Sequence, residues 1–128
     1  MKKQIITIEK VVQIVDTWLW KNREWLDTSI DFVIGVSRGG LIPAVWIATH
    51  LNKPLTVVYI NKQDEVFIDR KDWIKNKRVL IVDDTIRSGK TIKKVDGLIF
   101  PIVKSTYHFF IMPDPNNEIS FPWDLYDK

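Results

Sequence analysis

The sequence predicts an α/β fold: a mainly parallel sheet flanked by helices. Three observations carry this. Two apolar runs, Phe32-Val33-Ile34-Gly35-Val36 and Val79-Leu80-Ile81-Val82, have no polar interruption, which is how strands buried on both faces read. Each run opens into a short glycine-containing loop and then a helical pattern. An amphipathic stripe ahead of the first run supplies a helix to cover the sheet. Strands alternating with helices place a site where the two glycine loops meet, at the strands' carboxyl ends.

Composition narrows the function. The 128 residues suit one domain, spanning 1–128. With 45% hydrophobic and 27% charged residues the chain is globular in character. No apolar run approaches the roughly 20 residues of a membrane span, so no membrane partner is expected. The start, Met1-Lys2-Lys3-Gln4, runs into a stretch too short and too soon charged for a secretory leader. Absence of cysteine excludes disulfides, thiolate zinc sites and cysteine nucleophiles, and fits the cytoplasm. A net charge of +3, from 19 basic and 16 acidic residues spread along the chain, lacks the clustered basic face of a nucleic-acid binder. A small polyanionic substrate accounts for it.

In chain order, the first element is a helix from Thr7 to about Leu26. Ile8, Val11, Val12, Val15, Trp18 and Leu19 form its apolar stripe and Thr7 caps it. Trp20 and Trp25 lie off that stripe. The strand 32–36 follows, then Ser37-Arg38-Gly39-Gly40, then a helix over 41–51 with Pro43 in its first turn. A third strand is read at 55–60, a polar turn at 61–65 and a return strand at 66–68. Lys62, Arg70, Lys71 and Lys75, in the segment 61–76, are candidates to clamp an anion, Arg70 being favoured. After the strand ending at Val82, residues 91–96 give a brief helix before Gly97, and 98–103 and 107–112 read as two further strands, the first marked as edge or bulge by Pro101. His50 and His108 read as a helix-end and a strand residue. Neither has a second ligand at metal-site spacing.

The chemistry concentrates in Asp83-Asp84-Thr85-Ile86-Arg87-Ser88-Gly89-Lys90-Thr91. Two carboxylates sit where a buried strand surfaces, followed by hydroxyls, a glycine and the start of a helix, so backbone N–H groups and a helix dipole converge on a volume that suits a phosphate. The loop Ser37 to Gly40 offers the same arrangement, with Arg38 able to fork onto phosphate oxygens. Simpler readings exist: the acids can merely cap a strand end and the glycines can serve a tight turn. Asp84 to Thr91 also stands one residue from G-x-x-x-x-G-K-[ST], but a carboxylate replaces the first glycine, where negative charge has to be accepted.

VLIVDDTIRSGKT resembles the signature of the type I phosphoribosyltransferases, and GVSRGGLIPA resembles the pyrophosphate loop of their xanthine-guanine and hypoxanthine members. The tail around Ile119 and Phe121-Pro122-Trp123-Asp124 resembles the close of the hood that holds the base in the purine enzymes. The resemblance implies a magnesium-dependent enzyme of nucleotide salvage that joins a nitrogenous base to phosphoribosyl pyrophosphate. Asp83 and Asp84 would face the ribose and Mg2+. Thr85 to Thr91 would hold the ribose 5-phosphate, Ser37 to Gly40 the pyrophosphate, and Ile119 and Trp123 the base. Partners would be phosphoribosyl pyrophosphate and a nucleobase, with a homodimer compatible. The alternative is a non-catalytic regulator of the same fold that senses nucleotides. One departure stands out: where 6-oxopurine enzymes carry a proton-handling aspartate, this chain has Arg87. The lysine that reads the 6-oxo group is absent before Pro113, and Glu118 stands where an aromatic would stack.

Overall fold

The structure, a computed structural model, describes residues 3–126. Its elements are β1 (Gln4–Ile5), α1 (Ile8–Ser29), β2 (Phe32–Val36), α2 (Leu41–Leu51), β3 (Leu55–Ile60), β4 (Val66–Ile68), β5 (Arg78–Ile86), α3 (Lys90–Ile99), β6 (Ser105–Pro113) and β7 (Ile119–Ser120). Short 3-10 turns occupy Lys71–Ile74 and Pro122–Tyr126. The main sheet has the order β4-β3-β2-β5-β6, parallel throughout except for the antiparallel edge strand β4. From β2 the chain winds outward through β3, and from β5 outward in the other direction through β6. The crevice between the carboxyl ends of β2 and β5 is therefore the topological switch point.

Both faces of the sheet are covered, which is why Phe32–Val36 and the buried stretch 79–82 of β5 carry no polar residue. Val33, Leu80 and Val82 pack with Val11, Val15 and Leu19 of α1 and Ala44 and Ile47 of α2. On the other face Ile34, Val36, Val79 and Ile81 pack with Val95 and Ile99 of α3 and with Ile74. Thr7 caps α1 as its sequence position predicts, its hydroxyl accepting the Lys10 N–H at 3.1 Å. Trp18 meets Phe109 at 4.4 Å between ring centroids and Trp25 meets Tyr107 edge-on, whereas Trp20 is 86% exposed. At the base of the sheet Arg78 donates Nε and Nη2 to the two carboxylate oxygens of Asp31, at 3.0 and 2.8 Å, and Nη1 to the Thr28 carbonyl. This fork joins the start of β5 to the end of α1 and holds the Asp31 carboxyl well below the usual range.

Two expectations need correction, and one strand lies outside what the sequence was read to contain. Residues 98–103 are not a strand: α3 continues through Gly97 to Ile99, and a turn leads into β6. Ile92, Val95 and Ile99 share one helical face against the core, and a short apolar run cannot show that period by itself. The strand carrying the two acids does not end with them, because Thr85 and Ile86 still pair with Met112 and Pro113 of β6. Finally, the N-terminal residues 4–5 form a strand, β1, which pairs in parallel with β7 and ties the start of the chain to the hood.

Candidate active site

The register Gly35↔Val82 brings the loop after β2 level with Asp83 and Asp84. The two segments press together. A methyl group on Gly39 would overlap the Asp84 carboxylate, and one on Gly40 would overlap the Val82 carbonyl and lie 2.8 Å from the Asp83 Cα. Glycine is thus required here by close approach, not by positive φ. The Ser37-Arg38 peptide is cis, Ser37 N–H donates to the Val58 carbonyl at 2.8 Å, and Gly40 N–H donates to the Val36 carbonyl at 2.8 Å.

On the β5 side, Asp83 Oδ1 accepts the Asp84 N–H at 2.8 Å, and Asp84 Oδ1 accepts the Thr85 N–H at 2.7 Å. Asp84 Oδ2 accepts Trp123 Nε1 at 3.1 Å, so the tail closes directly onto the acidic pair. Trp123 in turn stacks on the buried Phe121. Burial, reinforced by the neighbouring Asp84 charge, pushes the Asp83 carboxyl well above the carboxylate range. Beyond β5, Gly89 adopts a left-handed φ of 83° that turns the chain into α3, while Ser88 Oγ accepts the Lys90 N–H at 3.3 Å. The N-terminus of α3 is therefore aimed at the same crevice.

These parts enclose a cavity of about 830 Å³. Of the residues expected at the site, Ser37, Arg38, Gly39, Asp83, Asp84, Thr85, Ile86, Arg87, Ser88, Gly89, Thr91 and Trp123 line it. Three do not. Gly40 is buried beneath the loop, Lys90 is exposed on α3, and Ile119 belongs to the core. Thr85 and Ile86 belong to β5, which leaves Arg87, Ser88 and Gly89 as the loop before α3. None of Lys62, Arg70, Lys71 or Lys75 lines the cavity, and the Arg70 guanidinium instead lies 4.9 Å from the Trp73 ring. His50 is hydrogen-bonded to the Trp46 carbonyl and His108 to Asp96, both away from the cavity.

Sequence reasoning missed several lining residues: Lys3, Ile60, Phe110, Asn117 and Ser120 among them. It also missed Asp114, which is 3% exposed yet charged. Asp114 accepts the N–H groups of Glu118 and Ile119 at 2.8 and 3.3 Å and stands 3.4 Å from Arg87 Nε. Burial alone would raise its carboxyl, but these N–H donors and Arg87 outweigh burial and lower it. Its place between Pro113 and Pro115, just past a strand, was the available signal.

Among the described residues no group of three or more His, Cys, Asp or Glu side chains could hold a metal alone. The acidic pair nevertheless fits magnesium. That ion takes one or two carboxylates and completes its shell with water and substrate oxygens, and Asp83 and Asp84 stand side by side on the cavity wall to supply them.

Comparison with known proteins agrees with this geometry. Orotate phosphoribosyltransferases of Brucella ovis and Brucella anthropi are each 38% identical over 66 residues, 51% of this chain and 33% of theirs, so the match spans about a third of these curated relatives. The purine phosphoribosyltransferase of Pyrococcus horikoshii Ot3 is 28% identical and superposes with a TM-score of 0.77 over 96% of this chain and 94% of its own. A hypothetical protein from Neisseria gonorrhoeae with bound ppGpp shares the fold at 19% identity, with a TM-score of 0.74 over 99% of this chain and 93% of its own. Residues 1–99, which include both glycine loops, the acidic pair and the helix that follows it, match the model of the phosphoribosyl transferase domain, and the chain belongs to that family.

Proposed function

We propose that the protein is an enzyme that transfers phosphoribose from phosphoribosyl pyrophosphate to a nitrogenous base, with magnesium, releasing pyrophosphate and leaving a nucleoside monophosphate. The observation that carries this reading is the convergence of two glycine-containing loops, from adjacent strands, on a cavity lined by Asp83 and Asp84. The substrate has two anionic ends joined by a ribose, and the cavity has two anion loops joined by carboxylates. In the reaction the bond from C1′ to the pyrophosphate oxygen breaks and a bond to the ring nitrogen forms, with inversion. Positive charge grows on the ribose beside Asp83 and Asp84, and negative charge grows on the leaving group beside Ser37 to Gly39. Magnesium, held by Asp83 and Asp84 together with substrate oxygens, would neutralise part of that leaving-group charge. Trp123, anchored to Asp84 and walled by Phe121, supplies a flat surface for a planar base.

The family resemblance and the Pyrococcus relative favour nucleotide salvage with a purine-type base, while the Brucella relatives point to a pyrimidine. No helix among the described residues is long and apolar enough to cross a membrane, and we place the protein in the cytoplasm, as a single domain that could pair into a homodimer. A nucleotide triphosphate loop is disfavoured: Asp84, which would be its first residue, is inside β5. A second reading has a specific observation behind it. The Neisseria neighbour is described with bound ppGpp and spans nearly all of this fold, so a non-catalytic sensor using the same cavity is the alternative. Incubation with phosphoribosyl pyrophosphate, magnesium and a panel of bases, read as pyrophosphate release, separates the two. Turnover with at least one base is expected. Tight binding without release from any base would favour the sensor.

A further inference from the structure

Arg87 is a permanent cation at a place where a 6-oxopurine enzyme keeps a carboxylate, and the structure shows what holds it there. Asp114 sits where β6 ends, its N–H donating to the Ile86 carbonyl at 2.9 Å and its carboxylate accepting two N–H groups of the hood. Arg87 Nε reaches that carboxylate at 3.4 Å. The guanidinium thus lies beside the carboxylate that holds the hood segment 118–119, and Arg87 lines the same cavity as Phe110, Ser120 and Trp123. Among the described residues its two terminal nitrogens have no protein acceptor, and its side chain is 46% exposed. Its two terminal NH2 groups are therefore available to a ligand in the cavity that Arg87 lines together with Phe110 and Trp123. Lys3, also lining the cavity, adds a second positive charge on the hood side. Of the acids around it, Asp114 is engaged by three donors, Asp124 by the Phe121 N–H at 2.8 Å and Asp84 by Trp123 Nε1 and the Thr85 N–H, while Asp83 feels the Arg87 charge across the cavity without a hydrogen bond to it.

We propose that Arg87, positioned by Asp114, selects a base that carries a carboxylate or an equivalent pair of anionic acceptors on its ring. This rests on the transferase reading above and narrows its substrate class. A fixed guanidinium fork matches a carboxylate with two parallel hydrogen bonds. A neutral ring that lacks acceptors there leaves those donors unpaired once the base has displaced water, and such a site discriminates against it strongly. The same fork is the wrong partner for a 6-oxopurine that must lose a ring proton, since Arg87 cannot take it.

Matched pairs of bases test this: orotate against uracil, and nicotinate against nicotinamide, each pair sharing a ring and differing in the charged carboxylate. The readout is the ratio of kcat/KM within a pair, from which phosphoribosyl pyrophosphate binding cancels. In the native protein one carboxylated base should exceed its neutral partner by about tenfold or more, the scale of one lost charged hydrogen bond. Arg87→Gln, at a half-exposed side chain, should bring the ratio to near one. Asp114→Asn, which keeps Arg87 but loosens it, should also lower the ratio. A ratio near one in the native protein, or a large ratio that survives Arg87→Gln, overturns the proposal. If no base turns over, the transferase reading fails separately. Calorimetric binding of orotate and uracil to protein saturated with phosphoribosyl pyrophosphate and magnesium then decides: preference for orotate that depends on Arg87 supports the assignment, and equal binding defeats it.

Discussion

At Asp83 a carboxyl is held above its ordinary range by burial and by the charge of Asp84, so the folded, ligand-free protein binds a proton there more tightly than the unfolded chain does. The sign follows from linkage. A raised carboxyl costs nothing below its unfolded pKa, and its cost grows as pH rises from the carboxylate range through the raised value. Asp83→Asn removes that cost while an amide oxygen can still accept the Asp84 N–H. In magnesium-free buffer the variant should melt higher than the native protein by a few degrees, with a gain that grows from pH 5 to pH 8, roughly the window over which such a group ionises. It should bind magnesium and phosphoribosyl pyrophosphate much more weakly. A variant that melts lower at pH 8, or binds as well as the native protein, contradicts this account. Asp83, Asp84 and the glycines of both loops could be read from the sequence because charge at a strand end and glycine before a helix are local signals. Lys3 could not, because its place at the cavity follows from how the hood folds back through β1 and β7, and Asp114, which braces Arg87 from behind, offered only its position between two prolines past a strand.

Among the elements, α1 falls where its helical period and the Thr7 cap put it, and β2, α2 and β3 fall where their apolar runs and the glycine, proline and polar stops beside them put them. α3 does not, and Gly97 is the reason: a glycine before Leu98-Ile99-Phe100 reads as a boundary, yet it lies inside the helix. A glycine there costs the helix backbone entropy. Nothing lies within 4 Å of a methyl group added at Gly97, and its neighbours Asp96 and Leu98 are helical. Gly97→Ala should therefore stabilise the protein by about 0.5–1 kcal/mol, seen as a higher urea midpoint at unchanged slope. Loss of stability would return this stretch to the extended form first read from the sequence. Because α3 presents its N-terminus to the cavity, the same substitution tests whether that helix continues past Asp96 behind the phosphate loop.

On the scale of the whole molecule, the site joins three separate parts of the chain: the loop after β2, the end of β5, and a hood made from β7, the tail and the N-terminal β1. The parallel sheet and the switch point were legible because buried parallel strands have a distinctive composition and each was followed by a glycine loop. The pairing of residues 4–5 with 119–120 was not, since two residues carry no periodicity. Ligand that bridges these parts binds the folded state alone, and so must stabilise the entire fold by mass action. At a hundred times its dissociation constant it contributes about 2.7 kcal/mol. For a chain of 128 residues that corresponds to a melting shift of roughly 10 °C. Phosphoribosyl pyrophosphate with magnesium should produce this shift, chelation of magnesium should reduce it, and Asp84→Asn should abolish most of it, because Asp84 connects all three parts through Trp123 and the close approach of Gly39. A native protein whose melting temperature ignores phosphoribosyl pyrophosphate but rises with ppGpp would move the cavity from transferase to sensor.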